Sequence, residues 1–249
     1  MMTARCDQDE YIVNQPERVF ATDNVAKLRR FTDYCVSHRR WAIAYGPSGA
    51  GKTTASVDAA FLAGRRHGVL VAAFSCKTNA DDEFIRARMV DCLAGRPPAA
   101  LGLAGDNDLI RLIRSVPCLF VFDEAQNMGA SGVGYTQHLF ERCTFPALFV
   151  GDFQLEKMRR KASQFASRVD RRAEFKWLKD DELRATLGVM HPAFAEMTPR
   201  AFQRLQSKFK NNLHHWKNVA KAIDSLSVEL GLPPVLDMTM TDAVITELT

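Results

Sequence analysis

The stretch WAIAYGPSGAGKTT, residues 41–54, constrains the fold more than any other part of this chain. Five residues of strand character, Trp41 to Tyr45, run into Gly46-Pro47-Ser48-Gly49-Ala50-Gly51-Lys52-Thr53. That run meets the phosphate-loop pattern GxxxxGK[ST] at every defined position. Glycine at 46, 49 and 51 lets the backbone aim its N–H groups at an anion where side chains would obstruct it. The helix that follows offers free N-terminal donors and the positive end of its dipole to the same phosphate. Lys52 adds a point charge for the β and γ phosphates, and Thr53 adds a hydroxyl for Mg2+. The expected ligands are therefore ATP and Mg2+, held by residues 46–53 together with Thr54.

A second apolar run, Pro117-Cys118-Leu119-Phe120-Val121-Phe122, ends in Asp123-Glu124, with one further strand, Val69 to Phe74, between it and the loop. A buried parallel strand delivers carboxylates at its C-terminal end, where ligands lie in open α/β sheets. Asp123 is expected to hold Mg2+, mostly through water, and Glu124 to orient or deprotonate the attacking water. A further strand, Ala147 to Val150, ends in Gly151-Asp152. At that tip Asp152 either contacts the γ phosphate or attacking water, or serves as a plain turn residue.

The other segments fill in an α/β core. Val25, Leu28, Phe31 and Cys35 recur at helical spacing behind Asp23-Asn24. Ahead of them residues 1–24, broken by Pro16, read as a lead-in in which Ile12, Val13, Val19 and Phe20 either cover an adenine or pack ordinarily. Residues 79–94 read as an amphipathic helix and 95–107, with Pro97, Pro98, Gly102 and Gly105, as loop. Leu109 to Ile113 is a short helix, Gln126 to Gly134 a glycine-rich connection, and Tyr135 to Arg142 another short helix. Leu155, Met158, Ala162, Phe165 and Val169 predict one helix over 155–172 with a buried stripe, after which Glu174 to Leu178 would be the fifth strand. Beyond residue 180 the pattern is helical: Leu213, Trp216, Ala220, Ile223 and Leu230 share a face, and Pro233-Pro234 precede a last helix. The organisation expected is a lead-in over 1–24, an ATPase core of five parallel strands flanked by helices over 25–179, and a small helical lid over 180–249.

Charge is uneven along the chain. Residues 156–179 hold nine Lys or Arg against three Asp or Glu, an excess of +6 where the whole chain carries +4. The rest is slightly acidic. Such a run is either a solvated face or, in an assembling ATPase, the source of an arginine that reaches a neighbouring subunit's nucleotide. On the expected helix Arg160 and Arg171 fall opposite the apolar stripe, and Lys161 and Arg168 lie at its rim. Six cysteines stand singly with no CxxC pair, which argues against a zinc site or a disulfide framework and for a reducing interior. The opening MMTARCDQDE is polar and acidic, and no run approaches the roughly eighteen apolar residues that cross a bilayer. A cytoplasmic protein with no membrane partner is expected.

With the phosphate loop, FVFDEAQN, LFVGDFQ, the Ser167-Arg168 segment and a helical C-terminal part in order, the chain resembles an AAA+ ATPase. Within that superfamily, the lead-in ATDNVAKLRRFTDYCVSHRRWAIAYGPSGAGKTT and the sequence DEAQN are similar to transposition regulators of the phage MuB, TniB and TnsC type. The resemblance spans roughly residues 10–245, and DEAQN also occurs in secretion-linked relatives. It implies an ATP-dependent protein that assembles as a homo-oligomeric ring or filament on double-stranded DNA and recruits or activates a transposase. By position Asp152 matches the first sensor and Arg168 the arginine finger. The family's second sensor is commonly an arginine in Gly-Asn-Leu-Arg, where this chain has Asn211-Asn212-Leu213-His214. DNA is usually tracked by elements near the second strand, which implicates Lys77, Arg86 and Arg88 in sequence-independent phosphate contacts. A secretion or signalling ATPase acting on a protein partner is the alternative that this resemblance leaves open, and a small-molecule kinase is a third.

Overall fold

The computed structural model describes residues 19–94, 105–231 and 235–249. The expectations placed on Ile12, Val13, Pro16, Pro97, Pro98, Gly102 and Pro233-Pro234 lie outside the described residues. The chain divides into two compact units. The first takes in residues 23–46 and the described part of 52–175; the second takes in residues 19–22 and 47–51 with the described part of 176–249.

The first unit is a five-stranded parallel sheet flanked by helices, the α/β fold expected. Its strands are β1 Trp41–Tyr45, β2 Leu70–Ser75, β3 Cys118–Asp123, β4 Ala147–Gly151 and β5 Val169–Glu174, in the spatial order β2-β3-β4-β1-β5. The helices are α1 Asp23–His38, α2 Lys52–His67, α3 Asp82–Ala94, α4 Asp106–Ser115, α5 Ala130–Cys143, α6 Phe153–Lys161 and α7 Ser163–Ala166. Tyr45 lies opposite both Gly151 and Glu174, and Ser75 opposite Asp123. Because all strands run one way, Gly46, Glu124 and Asp152 emerge at the same edge of the sheet.

Strand position dictates composition. β1, β3 and β4 are paired on both sides, and nearly every residue in them is buried. Trp41 sits at the centre of their core, its ring 4.8 Å from Phe140, 5.1 Å from Phe149 and 5.4 Å from Phe165, while its Nε1–H donates to the carbonyl of Phe145 at 3.2 Å. Burial of each such ring stabilises the fold by a few kcal/mol, on the order of 25 cal/mol per Å2 of apolar surface.

The outer strand β5 is VDRRAE, of which only Ala173 is buried. Charged side chains along a sheet edge discourage pairing with another chain, and here they disguise a strand as the solvated face of a helix. The single helix expected over 155–172 is thus corrected. The backbone leaves helical geometry at Ala162 (φ −99°, ψ 88°), which ends α6 and starts α7, and the chain then enters β5 five residues before the expected strand at Glu174. Leu155 and Phe165 are fully buried and Met158, Ala162 and Val169 pack beside them, so the stripe is real although the helix is not continuous. Arg171 belongs to β5, with its guanidinium 3.8 Å from the Tyr34 ring centre. In α1 the inward position near residue 31 goes to Thr32, fully buried, whose hydroxyl donates to Leu28 O, while Phe31 is half-buried. The helix expected over 135–142 starts earlier, at Ala130.

The second unit is helical: α8 Asp180–Met190, α9 Pro192–Ala195, α10 Pro199–Phe209, α11 Leu213–Leu230 and α12 Met238–Leu248. Side chains of Thr198, Asn212 and Asp237 cap α10, α11 and α12, so the helix starts are written locally. Trp216 is fully buried, stacked on Phe202 with Phe194 edge-on, and its Nε1–H donates to Lys210 O at 2.8 Å. Ile223 is buried on the same face, with Leu213 and Ala220 packed beside it; the side chain of Leu230 is outside the description.

Candidate active site

The C-terminal ends of β1, β3 and β4 bring together the chemistry-bearing residues of the first unit. Gly46 closes β1 with φ +155°, and a Cβ built there would stand 2.3 Å from the carbonyl oxygen of Phe175, so no other residue fits without moving the chain after β5. Lys52, Thr53 and Thr54 form the first turn of α2. The Lys52 ammonium donates to Gly46 O at 3.0 Å. Burial lowers its pKa against the opposing pull of Glu124, Asp123 and Asp152, which places all three carboxylates within its field. Thr53 Oγ1 donates to Asp123 Oδ2 at 2.9 Å.

Asp123 is 5% exposed, and burial raises its pKa although Thr53 and the N–H of Glu124 both donate to it. A hydroxyl and a carboxylate held together at a phosphate loop are oxygen donors suited to a hard divalent cation such as Mg2+, which takes one or two protein ligands and fills its remaining positions with water and phosphate. Glu124 adopts the left-handed conformation (φ 49°, ψ 36°), uncommon for a non-glycine residue, and projects from the strand end with its side chain exposed. Asp152 caps α6, its carboxylate accepting from the N–H of Gln154 at 2.7 Å.

Sequence reasoning passed over two neighbours. Gln126, in the short 3-10 turn Ala125–Asn127, donates through Nε2 to Glu124 and accepts through Oε1 from the N–H of Asp152 at 3.2 Å. Asn127 donates to Cys76 O at 3.1 Å, while its own carbonyl accepts from Ala80, so the turn after β3 is tied to the exit of β2. Their only mark in the sequence is two polar letters one position past the acid pair.

The middle of the phosphate loop, Pro47-Ser48-Gly49-Ala50-Gly51, clusters with the second unit. Gly49 has φ +74°, and a Cβ there would lie 1.8 Å from Asn212 Oδ1. The N–H of Leu213 donates to Gly49 O at 2.8 Å. Asn212 itself caps α11 by accepting from His214 N, and Asn211 donates to Leu178 O at 2.6 Å. His214 is exposed. Val19 and Phe20 are half-buried in the same unit.

The other expected residues lie elsewhere. Arg168 precedes β5, and its carbonyl accepts from the N–H of Trp41, the first residue of β1. That is the opposite edge of the sheet from Gly46. Its guanidinium pairs with Glu141 and lies over the Phe140 ring. Lys77 is exposed, with its ammonium 4.9 Å from the Phe84 ring centre. Arg86 and Arg88 are half-exposed on α3, whose first turn carries Asp82 and Glu83, and Arg88 faces Asp91 at 3.8 Å. Among the described residues no three metal-ligating side chains cluster, and no helix is long and apolar enough to cross a membrane. The five described cysteines are buried free thiols.

No protein-family model matches the sequence, and comparison with curated proteins gives no match. Solved structures do match. The ADP form of the Aeropyrum pernix ORC2 protein superposes with a TM-score of 0.72 at 18% identity, over 96% of this chain and 71% of that one. The Thermotoga maritima RuvB Holliday junction branch migration motor gives 0.62 at 13%, over 92% and 70%. The Aeropyrum pernix ORC1 protein in complex with DNA gives 0.67 at 13%, over 93% and 66%. The chain therefore shares the fold of these ORC and RuvB proteins, which in it is a five-stranded parallel sheet flanked by helices with further helices in the C-terminal part.

Proposed function

We propose that this chain is a Mg2+-dependent ATPase that assembles on double-stranded DNA and regulates transposition, selecting targets by recruiting or activating a transposase. The observation that carries the ATPase part is the meeting of Lys52 and Thr53, in the first turn of α2, with Asp123 at the end of β3 and Glu124 beside it. Nucleotide is held by residues 46–54, with Lys52 on the β and γ phosphates. Thr53 and Asp123 would hold Mg2+, which would supply charge neutralisation to the phosphates. Glu124, exposed at the strand end, orients the attacking water or takes its proton. Asp152 stands one strand away and holds the N-terminus of α6 in register with that edge.

The nucleotide reading is supported by the fold shared with an ORC2 protein solved in ADPNP–ADP complexes, and the DNA reading by the fold shared with an ORC1 protein solved on DNA. The transposition reading is supported by the lead-in and DEAQN resemblance. The lid role of residues 180–249 and trans action of Arg168 belong to the same proposal. A protein-directed secretion or signalling ATPase is the second reading, favoured by α3: its acidic first turn and the Arg88–Asp91 pair leave little free positive charge for phosphates.

Retention of the protein on duplex DNA at low salt, with and without ATP, tests the proposal. Wild type should be retained only with ATP, Lys52→Ala not at all, and Glu124→Gln irreversibly. Retention in none of them while ATP is still hydrolysed would leave the ATPase and select the protein-directed reading.

A further inference from the structure

Neither the phosphate loop nor the acid pair calls for a residue at position 126, yet the Gln126 amide touches both strand tips at which the proposed chemistry occurs. Its Nε2 donates to the Glu124 carboxylate and its Oε1 accepts from Asp152 N–H at 3.2 Å. The direction of the amide is set by its partners: a backbone N–H can only donate and a carboxylate can only accept, so oxygen must face Asp152 and nitrogen must face Glu124. Room for the amide exists because β4 ends in glycine. A Cβ on Gly151 would stand 2.3 Å from Gln126 Oε1. Glu124 meanwhile sits in the left-handed region, and its carbonyl accepts from Asn127 N at 2.9 Å, so the turn folds the Gln126 side chain back over the acid.

We infer that Gln126 is a positioning residue for hydrolysis: it fixes the Glu124 carboxylate against the tip of β4, at a set distance from the backbone of Asp152. The inference rests on the reading of Glu124 as the group that handles the attacking water. Glutamine suits the position because one planar group offers a donor to the acid and an acceptor to the N–H. Glutamate there would set two carboxylates against each other, and alanine would leave both partners without this bridge.

Steady-state ATPase kinetics and binding of a fluorescent ATP analogue, on the full chain with Mg2+, test it. Gln126→Ala should lower kcat by about tenfold or more while analogue affinity and KM stay within about twofold, the pattern of a lost transition-state contribution. Gly151→Ala should reproduce that loss by displacing the amide, and Gln126→Glu should lose at least as much. In a Glu124→Gln background, Gln126→Ala should cost nothing further, since the two residues act as one unit. Unchanged kcat in Gln126→Ala, or parallel loss of nucleotide binding, overturns the role of Gln126. Normal turnover by Glu124→Gln overturns instead the reading on which it rests.

Discussion

Thr53 and Asp123, seventy positions apart, share a hydrogen bond of 2.9 Å from hydroxyl to carboxylate that joins the first turn of α2 to the end of β3. The side chain is almost fully covered, and burial raises its pKa from the ordinary value, so the pair is a local arrangement maintained at some electrostatic cost. The cation site proposed for this pair would account for that cost. In wild type, chelating Mg2+ should weaken ATP binding; in Asp123→Ala the ratio of affinities with and without Mg2+ should fall by roughly 10- to 100-fold, the range for residues that act on a metal through its outer shell. Titration of a fluorescent nucleotide in Mg2+ and in EDTA measures it, and an unaltered ratio would remove Asp123 from the metal site.

Glu156 presents a different balance. The residue is 5% exposed, and its carboxylate accepts from Arg159 Nε at 2.7 Å and Nη2 at 2.9 Å and from Arg160 Nε at 3.0 Å, with Arg172 at 3.7 Å. The Arg159 bonds hold its pKa down at about 2, below the ordinary 4.5. A folded-state pKa below the unfolded one means the stabilisation is complete above the unfolded value and is lost as pH falls through the folded one. Since the guanidiniums of Arg160 and Arg172 face water, the contribution near pH 7 is on the order of 2 kcal/mol. Glu156→Gln should therefore be less stable by about that amount at pH 7, and the gap should shrink to roughly half or less by pH 3. Urea unfolding at the two pH values checks this.

The interior of the sheet was legible because it is apolar and bounded. β1, β3 and β4 are paired on both sides, so their residues announce themselves as short buried runs, and the acids at the ends of β3 and β4 mark the edge proposed to bind nucleotide. β5 was not legible in the same way. As an edge strand it is charged and mostly half-buried or exposed, and Leu155, Met158, Phe165 and Val169 happen to keep helical spacing across the break at Ala162. The acid pair was readable from its place after an apolar strand; Gln126 and Gly151 were not, because their significance is mutual. A glutamine in a turn and a glycine at a strand end are unremarkable letters until the two are seen 25 positions apart and in contact.

Gly49 and Asn212 allow two terms to be separated. Gly49→Ala meets two penalties at once: φ +74°, which costs a β-carbon about 1–2 kcal/mol, and a Cβ 1.8 Å from Asn212 Oδ1. Asn212→Ala removes the obstruction but also the cap of α11, which is worth about 1 kcal/mol. The double variant should then be more stable than the sum of the single losses predicts, by roughly 1 kcal/mol or more, leaving the backbone term alone. Additive losses in thermal unfolding would show that the loop moves away from Asn212 at no cost.

Arg168 and Gly46 stand at opposite ends of β1, and that separation decides how the arginine can act. Its carbonyl meets the N–H of Trp41 where β1 begins, and Gly46 follows where β1 ends. Five strand residues span about 16 Å at 3.3 Å per residue, more than an arginine side chain can cover. Any charge it gives to a γ phosphate must go to another protomer's. In the isolated chain it is also engaged, with its side chain 13% exposed, paired with Glu141 and lying over Phe140. Glu141 is exposed, so the pair is weakly held and can exchange partners on assembly. Turnover per protomer should accordingly rise with protein concentration in the presence of duplex DNA. Arg168→Ala should bind ATP normally yet lose that rise, by as much as ~10³-fold at saturation if the arginine acts as transition-state fingers do. Glu141→Gln, which releases the guanidinium, should shift the rise to lower protein concentration. Turnover that is independent of concentration in wild type, or a normal rise in Arg168→Ala, would exclude Arg168 from the chemistry and leave it as a packing residue under β5.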